Sequence, residues 1–589
     1  MKILKYAIFT FALGMSVSSC DFLDKEPTKL TPEVYFNTPE EAQSFLTGIY
    51  ATLGQSTFYG GDYLHLAGGD DMQHYGGDGL RVPLDKGLIC AKAVSSDPYV
   101  TGLWYTLYAG INRASMFLEN IDNVTDIAPE LKLQFVSEAR FLRAFYYFTL
   151  VQNWGDVPFK TQSTNTVVNL DLPRTNRQQI YDFIIKEMAE AADSETGGLL
   201  PANKIGKHVG RISRSAAWAT IARVYLFRAG EHYREKRNAT QDELVTYFQE
   251  AGKYAQKVRN EDFHGLAKNY WDVFIDLCSD QYNTTADENI WEVEFAGNGT
   301  SDTRSEGRWG NTCGLYGPDL SNKENVVGKN DPGYSYQMIF ATPKLYNLYE
   351  ENGDFERFYW NLAQFKYVEA KAKTSVTGRQ FRYGTMDKIM NEFGNWGRGT
   401  YEYGENTAEN VGDFEVEEKN SSNKNKGLAC AKFRREYEAD KKGKTYTSIN
   451  FPLIRYSDVL LMIAEAENEV NDAPTELAKD CINEVRLRAG IEKLPDNLNK
   501  EEFRKAVRNE RAMELCFELL RRYDLIRWGE FVERMTEIPV LYNNADEWKQ
   551  ITINPILEYF RVSDAYNYFP IPDQEMSVNK AIKENNPGW

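Results

Sequence analysis

Three stretches of this chain interleave aromatic rings with hydrogen-bonding side chains in a glycine-rich context. The first offers Tyr59, Tyr63, Asp70, Asp71, Tyr75 and Arg81. The second offers Arg308, Trp309, Asn311, Tyr316, Asp319, Tyr334 and Tyr336, and the third Tyr383, Asn395, Trp396, Arg398, Tyr401 and Tyr403. Such a mixture suits a ligand with apolar C–H faces and a rim of hydroxyls, which stacks on rings and is fixed by Asn, Asp and Arg. Carbohydrate has that chemistry. We single out Asp70, Asp71, Arg81, Arg308, Trp309, Asn311, Tyr316, Tyr334, Trp396, Arg398 and Tyr401 as candidate ligand contacts. The competing reading is that the rings pack the loops onto the body, and for any one residue that reading is the stronger.

Catalytic motifs do not accompany these stretches. The chain has no HExxH, no GxSxG and no Walker loop. Two of its five histidines, His65 and His74, bracket Asp70-Asp71 and could be drawn as a metal site. A glycine-rich loop fixes no ligand geometry, so polar loop residues are the simpler account, and neither metal nor cofactor is expected. With 86 acidic residues, a pair at glycosidase spacing would carry no information. Arg486, Arg488, Arg511, Arg521, Arg522 and Arg527 suggest an anion site at first sight. Glu510, Glu514, Glu518 and Asp524 stand beside them, so internal ion pairs are the better reading.

The elements that must position these stretches are helical. In Glu138 to Pro158, Ala139, Leu142, Phe145, Tyr146, Thr149 and Leu150 recur at three- and four-residue steps along one helix face. Phe141, Tyr147, Phe148 and Val151 extend the apolar surface, so this helix needs partners on more than one side. Gly155 can end it at positive φ and Pro158 prevents its resumption. That helix is predicted over 130–152, and further ones over 38–53, 101–121, 177–192, 212–229, 241–258, 455–471, 475–489 and 501–528. Ser213 to Leu226 is rich in small residues that let helices approach closely, as in degenerate tetratricopeptide pairs, although no strict repeat is present. Residues 54–98 read as a long loop, 260–450 as loops with short β pieces such as Ile290–Phe295, and 531–589 as a docking tail. Trp104, Cys481 and Cys516 fall on apolar helix positions and read as core.

Composition narrows the partners. A formal charge of −18 over 589 residues argues against nucleic acid and against anionic lipid. The seven cysteines show no CxxC spacing, so neither a zinc site nor a disulfide framework is indicated. Lys2, Lys5 and the apolar run Tyr6–Val17 form a leader too short to be a stable membrane anchor. Val17-Ser18-Ser19-Cys20 resembles a bacterial lipobox, which implies a signal peptide over 1–19 and lipidation of Cys20. Asp21, Asp24 and Glu26 resemble the acidic signal that sends Bacteroidetes lipoproteins to the outer face of the outer membrane.

The scaffold motifs are more specific. Arg143-Ala144-Phe145-Tyr146-Tyr147-Phe148 with Trp154-Gly155-Asp156-Val157-Pro158 resembles the signature of the SusD/RagB family of outer-membrane nutrient-binding lipoproteins. Arg455 to Ala466, Asn509-Glu510-Arg511 through Tyr523-Asp524-Leu525-Ile526-Arg527-Trp528, and Pro570-Ile571-Pro572 with Asn586-Pro587-Gly588-Trp589 agree in the same order. Leu519 departs from the family, which usually has Gly after Glu518. The resemblance implies one mainly α domain over 20–589, with tetratricopeptide-like helix pairs as scaffold and long loops and small β elements on one face. It also implies non-covalent capture of a nutrient, usually a glycan, beside a TonB-dependent SusC-like transporter. A peptide-binding uptake lipoprotein and a surface glycoside hydrolase are the alternatives. The family's ligand contacts come from variable loops, so no binding residue is carried over from it.

Overall fold

The computed structural model describes residues 36–75, 91–164, 171–205, 210–235, 240–281, 287–296, 307–315, 333–363, 365–369, 414–418, 429–438, 446–544 and 557–589. Cys20 and the leader, together with Arg81, Tyr316, Trp396, Arg398 and Tyr401, lie outside the described residues.

The fold is mainly α. Helices α1 (Pro39–Tyr50), α2 (Pro98–Asn120), α3 (Pro129–Trp154), α4 (Arg177–Ala191), α5 (Arg214–Glu235) and α6 (Gln241–Asn260) follow in sequence. Each of α1 to α3 begins with proline at its first helical position, where the missing N–H costs nothing. From Phe141 to Trp154 every residue of α3 is buried, because α1, α2, α4 and α5 all pack against it. Polar groups on so enclosed a helix need partners. Arg143 reaches Glu187 at 2.7 Å, and Glu138 accepts from Tyr50 at 2.7 Å and Arg211 at 2.6 Å. Gly155 ends α3 at φ +71°.

Beyond α7 (Tyr270–Cys278) the chain is irregular, with α8 (Trp309–Cys313), α9 (Pro343–Asn352) and α10 (Phe355–Asn361) among short strands. Regular helices return as α11 (Tyr456–Val470), α12 (Glu476–Arg488), α13 (Lys500–Leu515), α14 (Arg521–Arg527) and α15 (Phe531–Asn544). The two helical groups interleave, since α11 packs against α6 and α14 against α5. The small residues of α5 permit this. A Cβ on Gly230 would lie 2.4 Å from the Arg527 carbonyl oxygen.

Short β elements join the same body. Strand β1 (Gln73–Tyr75) pairs antiparallel with β3 (Ile339–Ala341), and β2 (Asn289–Val293) pairs with β6 (Phe451–Arg455). Two-residue strands β4 (Leu362–Ala363) and β5 (Ala429–Cys430) complete the sheet begun by β1 and β3, in the order β1-β3-β5-β4. Trp291 of β2 meets the edges of Phe141 and Phe145 at 5.5 and 4.9 Å, which seats that ladder on α3. At the other end of α3, Trp154 donates its indole N–H to the Pro570 carbonyl at 2.9 Å. Asn586 Nδ2 donates to the carbonyls of Trp154 and Phe569 at 3.1 and 2.7 Å. The C-terminal segment is thus hydrogen-bonded into the scaffold.

The helix expected over 501–528 is instead two helices, separated at residues 516–520. The reason is electrostatic. Lys432 Nζ donates to the carbonyls of Glu514 and Cys516 at 3.0 and 2.9 Å, and Arg455 donates to that of Glu514 at 3.0 Å. Remote cations therefore satisfy the last carbonyls of α13 that a continuing helix would have used. Phe517 and Leu519 take φ of +65° and +59° in the break. A left-handed leucine costs about 1 kcal/mol relative to glycine, but Leu519 is 4% exposed and stripping a buried leucine costs about 2–5 kcal/mol. Burial should win, so Leu519→Gly is expected to lower the thermal midpoint. A rise would show that strain dominates.

The arginines of this region are paired internally, as their neighbours suggested. Arg486 meets Glu510 at 3.0 Å, Arg511 meets Asp458 and Asp524 at 2.7 and 2.8 Å, and Arg521 meets Asp71 at 2.8 Å. Arg527 is paired with Glu465 and Asp524, and Arg488 with Glu288 and Glu514. Arg522 is the exception. It lies over the rings of Phe531 and Phe569, 4.6 and 5.6 Å from their centroids, and donates to the Tyr566 carbonyl. Its burial lowers the guanidinium pKa to about 10.

Two sets of enclosed or half-buried carboxylates should give stability a pH optimum. Burial raises Asp70 and Asp287 to about 7 and Glu292 to about 8. Folding therefore favours their protonated forms, and that contribution fades as pH rises from about 4 to about 8. Burial also opposes ionisation of Glu465, Asp71, Asp458 and Glu514, but adjacent cations overcome it, holding Glu465 at about 2 and the others lower still. Their contribution is present above pH about 4 and is lost in acid. The melting temperature should therefore climb as pH falls from 8 towards 5 and collapse below 4. A flat profile between 5 and 8 would contradict the first set.

Candidate functional site

Two of the three aromatic stretches converge. Trp309 donates its indole N–H to the Tyr59 carbonyl at 2.5 Å, tying α8 to the early loop. Residues 334–338 run beside α8, with the amides of Tyr336 and Met338 donating to the carbonyls of Asn311 and Thr312 at 2.8 Å each. They lead into β3, which pairs with β1 through Gln73↔Ala341, His74↔Phe340 and Tyr75↔Ile339. The third stretch, 381–403, lies outside the described residues.

The convergence has a buried floor. Trp309 is 1% exposed and stacks on Phe451 at 4.2 Å. Asn311 is fully enclosed, with Nδ2 directed at the Tyr334 carbonyl at 3.4 Å. Asp71 is held by Arg521 and by Lys344 at 2.7 Å, while Asp70 accepts from the Met72 amide at 2.8 Å and Gln73 Nε2 at 3.0 Å. Contrary to the expectation from sequence, Trp309, Asn311, Asp70 and Asp71 face inward and carry the site from beneath. Trp309 Nε1, Asn311 Nδ2 and the two carboxylates are engaged within the fold.

The histidines are occupied too. His65 stacks on Tyr99 at 4.2 Å and His74 on Phe340 at 5.7 Å, and burial lowers both imidazoles to about 4, so both are neutral at ordinary pH. Among the described residues, no His, Cys, Asp and Glu are grouped as a metal ion would need.

Above this floor lies a half-buried rim. It comprises Tyr59, Asp62, His65, Tyr75 and Tyr99 with Arg308, and Tyr334 and Tyr336 beyond α8. His65 links the rings of Tyr75 and Tyr99, at 5.5 and 4.2 Å, and the rings of Tyr334 and Tyr336 meet at 4.9 Å. Gly61, at φ +147°, lets the loop pass Arg308, whose Cβ would stand 3.2 Å from a Cβ there. Arg308 also acts electrostatically on Asp62 and His65. Of the sequence candidates, Arg308 and Tyr334 reach the surface here. Tyr99 and Asp62 went unnoticed. Tyr99 enters from the first turn of α2, where its amide donates to Asp97 at 2.8 Å; no composition signal marks it.

A cleft of about 670 Å³ elsewhere, between α9, α13 and α15, offers a different surface. It is lined by arginines, lysines, glutamates and aliphatic residues without an aromatic ring, and its Arg504 and Arg534 are paired with Glu469 and Glu530 at 2.5 and 3.0 Å. It lacks the stacking surface that a sugar ring requires.

Family comparison agrees with the scaffold motifs. A family model described as "SusD family" matches residues 287–589, and one described as "Starch-binding associating with outer membrane" matches residues 21–226. The chain belongs to the SusD family. A SusD-like protein of Formosa agariphila is 25% identical across all of this chain and 99% of its own length. The starch-binding protein SusD of Bacteroides thetaiotaomicron is 25% identical over 81% of this chain and 76% of that protein. Among solved structures, a SusD homologue from Bacteroides thetaiotaomicron superposes with a TM-score of 0.74 at 24% identity, covering 95% of this chain and 98% of that one. Surface glycan-binding protein A from the same species, solved in complex with laminarihexaose, gives 0.59 at 18% identity, covering 93% and 100%. These likenesses show the SusD fold. No helix among the described residues is long and apolar enough to cross a membrane.

Proposed function

We propose that this SusD-family protein is a surface lipoprotein, anchored through Cys20, that captures glycan non-covalently and passes it to a SusC-like TonB-dependent transporter without chemical turnover. The observation that carries the reading is the rim of half-buried rings, His65 between Tyr75 and Tyr99, held beside Arg308 on a rigid floor. Rings partly open to solvent can stack on sugar C–H faces, and the polar groups among them can meet hydroxyls. The names of relatives as starch-binding and glycan-binding proteins support the ligand class.

Affinity electrophoresis through gels containing plant, host and microbial polysaccharides tests this. At least one polymer should retard the protein, and Tyr75→Ala with Tyr99→Ala should remove the retardation while far-ultraviolet circular dichroism stays unchanged. Undiminished retardation in that variant would move the site elsewhere. Release of new reducing ends would replace binding with hydrolysis.

A further inference from the structure

Arg308 makes no hydrogen bond or ion pair through its side chain to any described residue, and its Nε is shut away from solvent without an acceptor. This sets it apart from the arginines of the scaffold, which are matched to carboxylates or carbonyls. Arg143, Arg223, Arg488 and Arg522 also bury an Nε without an acceptor, but each places another nitrogen of its guanidinium on a carboxylate or carbonyl, whereas Arg308 makes no such contact with a described residue. Asp62 feels the guanidinium but does not form an ion pair with it. His65 is neutral, so it adds no positive charge to the site. Among the described residues, the result is a cation without an ion-pair partner beside stacking rings, on a protein whose net charge is −18.

From this juxtaposition we infer that the rim takes an acidic glycan, with Arg308 receiving a carboxylate or sulfate oxyanion of a sugar whose ring stacks against Tyr75, His65 and Tyr99. This rests on the proposal that the rim binds glycan. The planar fork of arginine fits a two-oxygen anion, and removing the site from bulk water strengthens the contact. Asp62 would work against it as a neighbouring negative charge. The net charge of −18 disfavours polyanions in general, so an attraction at Arg308 is local and selective.

The test uses matched pairs in affinity electrophoresis and calorimetry. Polygalacturonate is set against its methyl ester, and a sulfated galactan against its desulfated form, with polyglutamate as a charge control. The protein is the chain from Cys20 onward carrying Cys20→Ser. The expected result is at least tenfold preference for the charged member of one pair, which also distinguishes a uronate from a sulfate ester. Arg308→Gln should erase that preference, Asp62→Asn should raise affinity for the charged member several-fold, and neither should shift the melting temperature. Equal or stronger binding of the neutral member, or a preference untouched by Arg308→Gln, overturns the inference while leaving glycan capture intact. Equal binding of polyglutamate overturns it as well. Binding of no polymer in the full polysaccharide panel overturns both.

Discussion

Glu514→Gln should lower unfolding stability by about 3–5 kcal/mol, the cost of leaving buried cations without their partner. Glu514 is fully buried and stands among three arginines, meeting Arg455 at 2.9 Å, Arg357 at 3.0 Å and Arg488 at 2.5 Å. Around it, Arg357, Lys432, Arg455, Arg486 and Arg488 are balanced by Asp354, Glu288, Glu510, Glu514 and Glu518. An amide keeps the shape but leaves that cluster one charge short in a region water cannot reach. Urea denaturation measures the effect as a fall in midpoint at unchanged slope. Pairing the substitution with Arg488→Gln should recover part of the loss, because the excess positive charge then disappears. A single variant as stable as the parent would mean that water or rearrangement supplies the missing charge, and the cluster would not be the keystone of the second helical group.

Trp309→Ala should cost about 3–5 kcal/mol, the range for emptying a buried aromatic site. The ring stacks on Phe451 and lies 5.9 Å from Phe433, while its N–H holds the Tyr59 carbonyl. The variant would lose packing on α8 and orphan the acceptor that fastens the early loop. Glycan binding should fall as a consequence, together with the melting temperature. Trp309→Phe, which keeps most of the packing and removes only the hydrogen bond, should cost about 1–3 kcal/mol. Lost binding with an unchanged melting temperature in Trp309→Ala would restore this residue to the ligand face.

Those two positions also show how much the sequence could reveal. The scaffold was legible because its signals are local. The three- and four-residue steps of α3 report burial directly, and the motifs through Arg455 and Trp528 report the family. The mixture of Glu510, Glu514 and Glu518 with arginines announced internal pairing. The site was only half legible. Arg308 and Trp309 are adjacent in one glycine-rich stretch, yet one side chain reaches the rim and the other is enclosed; without a helical or strand period, neighbours cannot be sorted into inside and outside. Asp71 looked like a sugar-binding acid because its partner Arg521 is far along the chain. The end of α13 was missed for the same reason, since Lys432 and Arg455 cap it from a distance. Leu519 stands in the same break at φ +59° where the family usually has glycine, and as a leucine it gave no sign that the helix stops there.

The interleaving of the two helical groups bears on when the molecule can fold. Helix α3 is enclosed only when strand β2 has met β6 and when the Pro570 carbonyl and Asn586 have reached Trp154. A ribosome delivers those partners last, so the early helices must wait with their apolar faces uncovered while the remainder is made. Contacts this distant along the chain are slow to close. Under the surface location proposed above, the delay would be useful: a chain unable to complete its core early stays threadable during export. A fragment matching only residues 21–226 should not fold alone.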